Sequence, residues 1–194
     1  MALPGITELK RRLRIEHTAE DTDLTAMMAS AYGVVQSYVK RPLVAVQQTM
    51  YLEEPPFLNE RRHRVLYLPV YPVLGTPTPT LTDNDGTLVA TSDYRLDLST
   101  GIIYGLATTS AFAVYPYTVV ATVGLSARSD YALVVEPVLG AAIIDHAADL
   151  WHARNPRATN ESTGGGVSTS YATETGLSAR LKAMLDPFRM ARAR

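Results

Sequence analysis

The sequence contains no cysteine among its 194 residues. Without thiols the chain can form no disulfide framework, no thiolate metal site and no cysteine nucleophile, and their absence favours a reducing compartment. Net charge is also nearly absent, at -1 when histidine is neutral. No overall attraction to nucleic acid or to an anionic membrane is therefore expected, and any such attraction must be local.

Long apolar segments are scarce as well. The N-terminal "MALPGITELKRR" has no apolar run of signal-peptide length, and no stretch approaches the ~20 apolar residues that cross a bilayer. We therefore expect a soluble protein of the cytoplasm with no membrane partner. Hydrophobic residues make up 46% of the chain, which is ordinary for a globular domain with its own core.

Helical periodicity begins at the N-terminus. Thr7 is placed to cap a short basic helix, and Thr18 with Asp21 resembles the capping box of a second helix. The second helix carries apolar residues at spacings of three and four until Pro42 stops it. Two consecutive helices are therefore predicted before residue 43.

Helical periodicity returns near the C-terminus. One apolar pattern starts around Pro137 and ends at Asn155 and Pro156. The "RATNESTGGGVSTSYAT" segment that follows has the composition of a flexible loop, which we place at 157–172. A last helix is disturbed by Pro187, and its apolar side is formed by Leu177, Leu181, Met184, Leu185 and Phe188.

Between the helices the pattern changes to short strand-like runs. "DNDG" at 83–86 and "STG" at 99–101 are typical of tight hairpin turns, and several prolines limit strand length. The fold class expected from the whole pattern is α+β. Residues 1–43 and 131–194 would form a helical bundle, made of an N-terminal helix pair and the C-terminal helices, with 44–130 as a β-rich insertion.

A cluster of titratable residues is the best candidate for chemistry: Asp145, His146, Asp149 and His152. The two histidines are six residues apart, or about 9 Å along a helix at ~1.5 Å per residue, which is too far for easy chelation of one ion. We expect Asp145, Asp149 and His152 to form a polar stripe opposite the apolar face, as a solvated or inter-subunit surface with no catalytic residue, no metal and no cofactor. The alternative is a hydrolase that uses His146 or His152 with Asp149.

The C-terminal residues 174–194 carry five basic residues against two acidic ones, although the whole chain is nearly neutral. Met184, Phe188 and Met190 alternate with Arg189 and Arg192 there. Arginine beside apolar residues is typical of protein interfaces. The tail is therefore expected to contact another protein, and no motif that reads nucleic-acid sequence accompanies it.

Four segments form a recognisable series along the chain: "TELKRRLRI", "EDTDLTAMMASAYGVVQSYVKRPL", "DYRLDLSTGIIY" and "LDPFR". Together with the order of elements, they resemble the head-to-tail connector, or adaptor, proteins of long-tailed bacteriophages, in the subgroup with a β insertion between the helices. The resemblance spans nearly the whole chain. It departs from the family at Trp151–Asn155, where a tryptophan, tyrosine, then asparagine-arginine pattern is usual, so no residue role is carried over at that point.

The resemblance implies a structural role without enzymatic activity, in the neck of a virion assembled in the host cytoplasm. Such proteins form a ring, a dodecamer by family expectation, that docks on the portal protein. The ring joins the DNA-filled capsid to a tail or stopper protein and leaves a channel for the genome, with only non-specific proximity to DNA. The residues expected to dock on the portal are Leu181, Leu185, Phe188, Arg189 and Arg192. A tail-completion or tail-terminator ring protein is the alternative structural role.

Overall fold

The computed structural model describes residues 4–53, 57–58, 64–106, 112, 115–128, 130–154 and 176–190. The predicted loop at 157–172 and Arg192 lie outside these residues. The fold is α+β, with helices and two small antiparallel sheets. The chain divides into two compact units: a helical unit of Met1–Lys40 with Ala132–Arg194, and a β unit of Arg41–Tyr131.

The helical elements follow the periodicity of the sequence at both ends of the chain. A single π-helical turn, Tyr131–Val135, leads into the long C-terminal helix, and a 3-10 turn, Asp186–Phe188, follows the last helix at Pro187. The helices are α1 (Ile6–Leu13), α2 (Asp21–Val39), α3 (Glu136–Arg154) and α4 (Ala179–Leu185).

The start of α1 differs from the prediction. Gly5, and not Thr7, occupies the N-cap position, and the Glu8 carboxylate accepts a hydrogen bond from the Gly5 amide at 3.0 Å. Glu8 stands at the third helical position, from which its side chain can reach back to the unpaired amides of the first turn. The predicted cap at Thr7 is therefore wrong, although the helix itself is present.

The start of α2 also lacks its predicted capping box. Glu20 is the N-cap residue, and no side chain in the described part of the chain caps this turn. The Asp21 carboxylate instead pairs with Lys10 Nζ at 2.8 Å, which ties α1 to α2. The Asp21 carboxylate, which was expected to take part in the cap, is thus engaged in an ion pair with another helix.

The core of the helical unit lies between α2 and α3. An ion pair joins Asp23 in the first turn of α2 to Arg154 at the end of α3, so the two helices run in opposite directions. The fully buried apolar side chains of the unit come from all four helices and include Leu9, Leu24, Ala31, Val35, Val39, Leu139, Ala142, Ile143, Ala147 and Leu185.

The expectation that no segment is long and apolar enough to cross a bilayer is wrong for one helix. The segment Tyr131–Arg154 has 24 residues and contains an 18-residue window with a mean hydropathy of 1.4, so by length and composition it is able to span a membrane. Half of its most apolar stretch is buried inside the protein, as in the core helix of a globular domain. Its apolar character is explained here by packing on α2.

The β unit contains two antiparallel sheets. The first has the strand order β1–β7–β4, and the second has the order β2–β3–β6–β5. The strands are β1 (Val46–Leu52), β2 (Phe57–Leu58), β3 (Arg64–Tyr67), β4 (Thr80–Thr82), β5 (Tyr94–Asp97), β6 (Ile102–Gly105) and β7 (Tyr117–Val123). Alternate residues of β7 are buried, so one face of the first sheet lines the core of this unit.

Both predicted hairpin turns are confirmed. In "DNDG" the Asp83 carboxylate accepts from the Thr87 amide at 2.8 Å, and Gly86 has a φ of 79°. In "STG" the Asp97 carboxylate accepts from the Ser99 amide at 2.9 Å and from its hydroxyl at 2.7 Å. These bonds, led by the Ser99 hydroxyl, lower the pKa of Asp97. Such side-chain to backbone bonds fix a tight turn locally.

Candidate functional site

The helical unit contains a cleft of ≈ 460 Å³ beside the predicted cluster of titratable residues on α3. It is bounded by side chains from α1, α3 and the C-terminal segment: Arg12, Leu13, Asp145, Ala148, Asp149, His152, Ser178, Arg180 and Leu181. The cleft therefore contains three of the four titratable residues that the sequence singled out.

Asp145 organises the polar side of this cleft. Its Oδ1 lies 3.1 Å from Arg12 Nη2, and its Oδ2 lies 3.8 Å from Arg180 Nη2. The two guanidinium groups come from α1 and α4 and are mostly exposed to solvent, so each pair contributes little to stability. Their role is to tie both helices to α3.

His146 does not share this environment. Its side chain is only 1% exposed, and neither ring nitrogen has a hydrogen-bond partner within the described residues. Burial lowers the pKa of His146, while Asp149 opposes that shift. A substrate cannot reach the buried imidazole of His146, whereas Asp149 and the exposed His152, the other pair of the hydrolase alternative, both border the cleft. Across the described ranges, no three histidine, aspartate or glutamate side chains form a group able to hold a metal ion.

Burial of His146 predicts that stability depends on pH. The unfolded chain takes up a proton at the ordinary pKa of 6.5, whereas the folded chain resists protonation. The stability that neutral His146 contributes is therefore fully present above that pH. Below it, the free energy of unfolding falls by up to about 1.4 kcal/mol per pH unit. Urea unfolding between pH 7.5 and about 5 measures this slope.

His146→Leu should remove this component of the slope, because leucine carries no titrating group. His152→Leu is the matched control, since His152 lies on the same helix and is exposed. That control should keep the slope of the wild type. Equal slopes in the wild type and His146→Leu would contradict the role of burial.

Four of the five residues expected to dock on the portal lie in the C-terminal segment 176–190, and the fifth, Arg192, lies outside the described residues. Leu181, Leu185 and Phe188 are buried in the helical unit, at 6% exposure or less. In this conformation their side chains pack into the core of the helical unit. Arg189 is exposed and lies over the ring of Tyr38, at 5.2 Å from the ring centre.

Polar contacts with the end of α2 also hold this segment. The Tyr38 hydroxyl donates to Asp186 Oδ1 at 2.5 Å, and this bond is the main cause of the raised pKa of Tyr38. The Met190 amide donates to the Val39 carbonyl at 2.9 Å. The partners are far apart in the sequence, so no local pattern could have revealed them.

Comparison with known proteins gives results for structure only. No protein-family model matches this chain, and no curated protein matches it. Solved structures of gene transfer agent (GTA) particles do match. A chain from the neck of an empty GTA particle, computed with C6 symmetry, has a TM-score of 0.59 and 19% identity, and the match covers 100% of this chain and 95% of that one.

Two further matches come from the same class of particle. A chain from the virion of the native gene transfer agent has a TM-score of 0.60 and 18% identity, with 100% and 95% of the two chains covered. A chain from the neck of the native particle, computed with C12 symmetry, has a TM-score of 0.53 and 20% identity, with 100% and 94% covered. These likenesses show that the whole chain shares a fold with those proteins.

Proposed function

We propose that the protein is a structural component of a phage-like virion neck, a connector or adaptor ring that joins the DNA-filled capsid to the tail. The observation that carries this proposal is the end-to-end match to chains from GTA particle necks, which spans both the helical and the β unit. The independent resemblance of the sequence motifs to phage connectors points to the same role.

The geometry of the cleft supports a structural role over the hydrolase hypothesis. One of its two acidic side chains, Asp145, is engaged by two arginines, and His146 is enclosed in the core. Acid-base catalysis needs a titratable group within reach of the substrate. Asp149 and His152 also border the cleft, so the hydrolase hypothesis would rest on that pair alone, whereas the arginine contacts of Asp145 make the cleft a junction between α1, α3 and α4.

On this proposal several copies form a ring around a channel for the genome, and the ring contacts the portal on one side and a tail or stopper protein on the other. The neck structures were computed with C6 and C12 symmetry, which is the kind of symmetry that such a ring would have. Contact with DNA is non-specific, in agreement with the near-zero net charge of the chain.

The portal-docking surface is proposed on the basic C-terminal segment. In this proposal the arginines make the contacts, and the apolar residues support them from below. Arg189 presents an exposed guanidinium, and Arg192 follows it in the sequence. Both would pair with carboxylates on the portal. Leu181, Leu185 and Phe188 would support this surface from within the core.

The test is binding of the purified chain to capsids that carry a portal but no tail, followed by electron microscopy. The double variant Arg189→Glu with Arg192→Glu should weaken binding by about tenfold or more, because charge partners at an interface are reversed. Arg11→Glu, an exposed basic residue of α1, is the control and should bind like the wild type. Density at the far end of the tail, and none beside the portal, would support the tail-terminator alternative.

A further inference from the structure

An exposed apolar ridge spans the π-helical turn Tyr131–Val135 and the first turns of α3. Its residues are Ala132, Leu133, Val134, Pro137 and Ala141, and all of them are exposed. Leu133 is 87% exposed and Val134 is 48% exposed. A run of consecutive exposed apolar residues is unfavourable in water and typically marks a contact surface.

A second surface lies on α2, on the side turned away from the core. Its residues are small and uncharged and recur at spacings of three and four: Thr22, Thr25, Ala26, Ala29, Ser30, Gly33 and Ser37. At Gly33 a Cβ would meet no atom within 4 Å, so the surface is open there. We call it the small-residue face of α2.

The two surfaces are complementary. The apolar ridge carries branched side chains, and the small-residue face leaves room for them, in the way that ridges of one helix fill the groove of another. Both surfaces are free of charge, so neither offers a partner for DNA phosphates or for an acidic protein. This matching of size and polarity favours a second copy of the same chain as the occupant.

We propose that the apolar ridge of one copy docks on the small-residue face of α2 in the next copy. The surfaces lie on different helices, so each copy donates one and accepts the other, and this head-to-tail arrangement closes into a ring when the rotation permits. The inference rests on the proposed function as a ring protein, and it names the interface within that ring.

Cysteine cross-linking tests the contact directly, because the native chain has no cysteine to interfere. The full-length double variant Leu133→Cys with Ala29→Cys is oxidised at concentrations at which rings form, both free and on portal-bearing capsids. A ladder of covalent multimers that ends in a closed ring is expected. Each single variant should give no ladder, and a dimer from Leu133→Cys alone would mean that ridge meets ridge and would overturn the proposal.

Charge variants test the direction of the interface. Leu133→Glu and Ala29→Glu should each raise the concentration needed for ring assembly by roughly tenfold to a hundredfold, since a carboxylate would be buried without a partner. A mixture of the two variants retains one intact interface and should form a heterodimer but no ring. Leu88→Glu, at a 63% exposed apolar residue of the β unit, is the control and should assemble normally.

Failure of this inference differs from failure of the proposed function. Rings that form but do not cross-link between residues 29 and 133 would overturn the interface and leave the neck role intact. If no ring is found free or on capsids, the neck role fails, and the interface falls with it. Folding of each glutamate variant is verified by its unfolding curve, which should match that of the wild type.

Discussion

Replacing Leu185 with alanine is expected to lower the free energy of unfolding of the helical unit by about 2–5 kcal/mol. The Leu185 side chain has no exposed area, and it lies in α4 beside the equally enclosed Leu181. Truncation to alanine removes buried methyl groups and leaves a cavity that a packed core closes only in part. The C-terminal segment is thus predicted to be a structural part of the unit.

Trp151 gives a clean measurement of this effect. It is the only tryptophan of the chain, and it lies in α3, so its fluorescence follows the helical unit during denaturant unfolding. Lys182→Ala is the matched control, because Lys182 is exposed on the same helix and should change stability by less than about 0.5 kcal/mol. Equal unfolding midpoints for Leu185→Ala and the control would mean that α4 is not packed as described.

Replacing Gly124 with alanine is expected to destabilise the β unit by about 2–4 kcal/mol, which combines backbone strain with overpacking. Gly124 has a φ of 148°, a region that residues with a side chain rarely adopt. A Cβ placed there would lie 2.7 Å from the Val44 carbonyl oxygen and 3.0 Å from Ala45 Cα. Both contacts are with backbone, which cannot move aside as a flexible side chain can.

Gly86→Ala is the control that separates backbone strain from overpacking. Gly86 also has a positive φ, of 79°, but a Cβ at this position would meet no atom within 4 Å. The control should therefore cost only the backbone strain, about 1–2 kcal/mol. Thermal unfolding followed by far-ultraviolet circular dichroism compares the two variants. A Gly124→Ala variant no less stable than Gly86→Ala would contradict the close approach to Val44.

The features that the sequence predicted correctly are those that depend on neighbours along the chain. The α+β class follows from apolar spacing of three and four at the ends and from short alternating runs between them. The turn at Asp97–Gly101 follows from one carboxylate and the amides next to it, together with a glycine at positive φ. These patterns and contacts involve residues that are close together in the sequence, so they can be predicted without knowing the fold.

The features that the sequence missed depend on partners far away along the chain. The burial of Leu185 and Phe188 in this chain could not be predicted, because an amphipathic terminal helix has the same sequence pattern whether it packs on another protein or on its own chain. The hydrolase alternative combined His146 with Asp149 because they are close in the sequence, yet one residue along a helix turns a side chain by about 100°. That rotation places His146 in the core while Asp145 borders the cleft.

The helical unit is discontinuous in the sequence, and this has a consequence for biosynthesis. The contact between α2 and α3 joins segments with the entire β unit between them. During translation, residues 41–131 leave the ribosome before α3 exists, so the β unit can reach its native pairing while α1 and α2 still lack their main partner. The nascent chain is thus expected to form its sheets first. Its N-terminal helices α1 and α2 would pack on α3 last, when the C-terminal residues emerge.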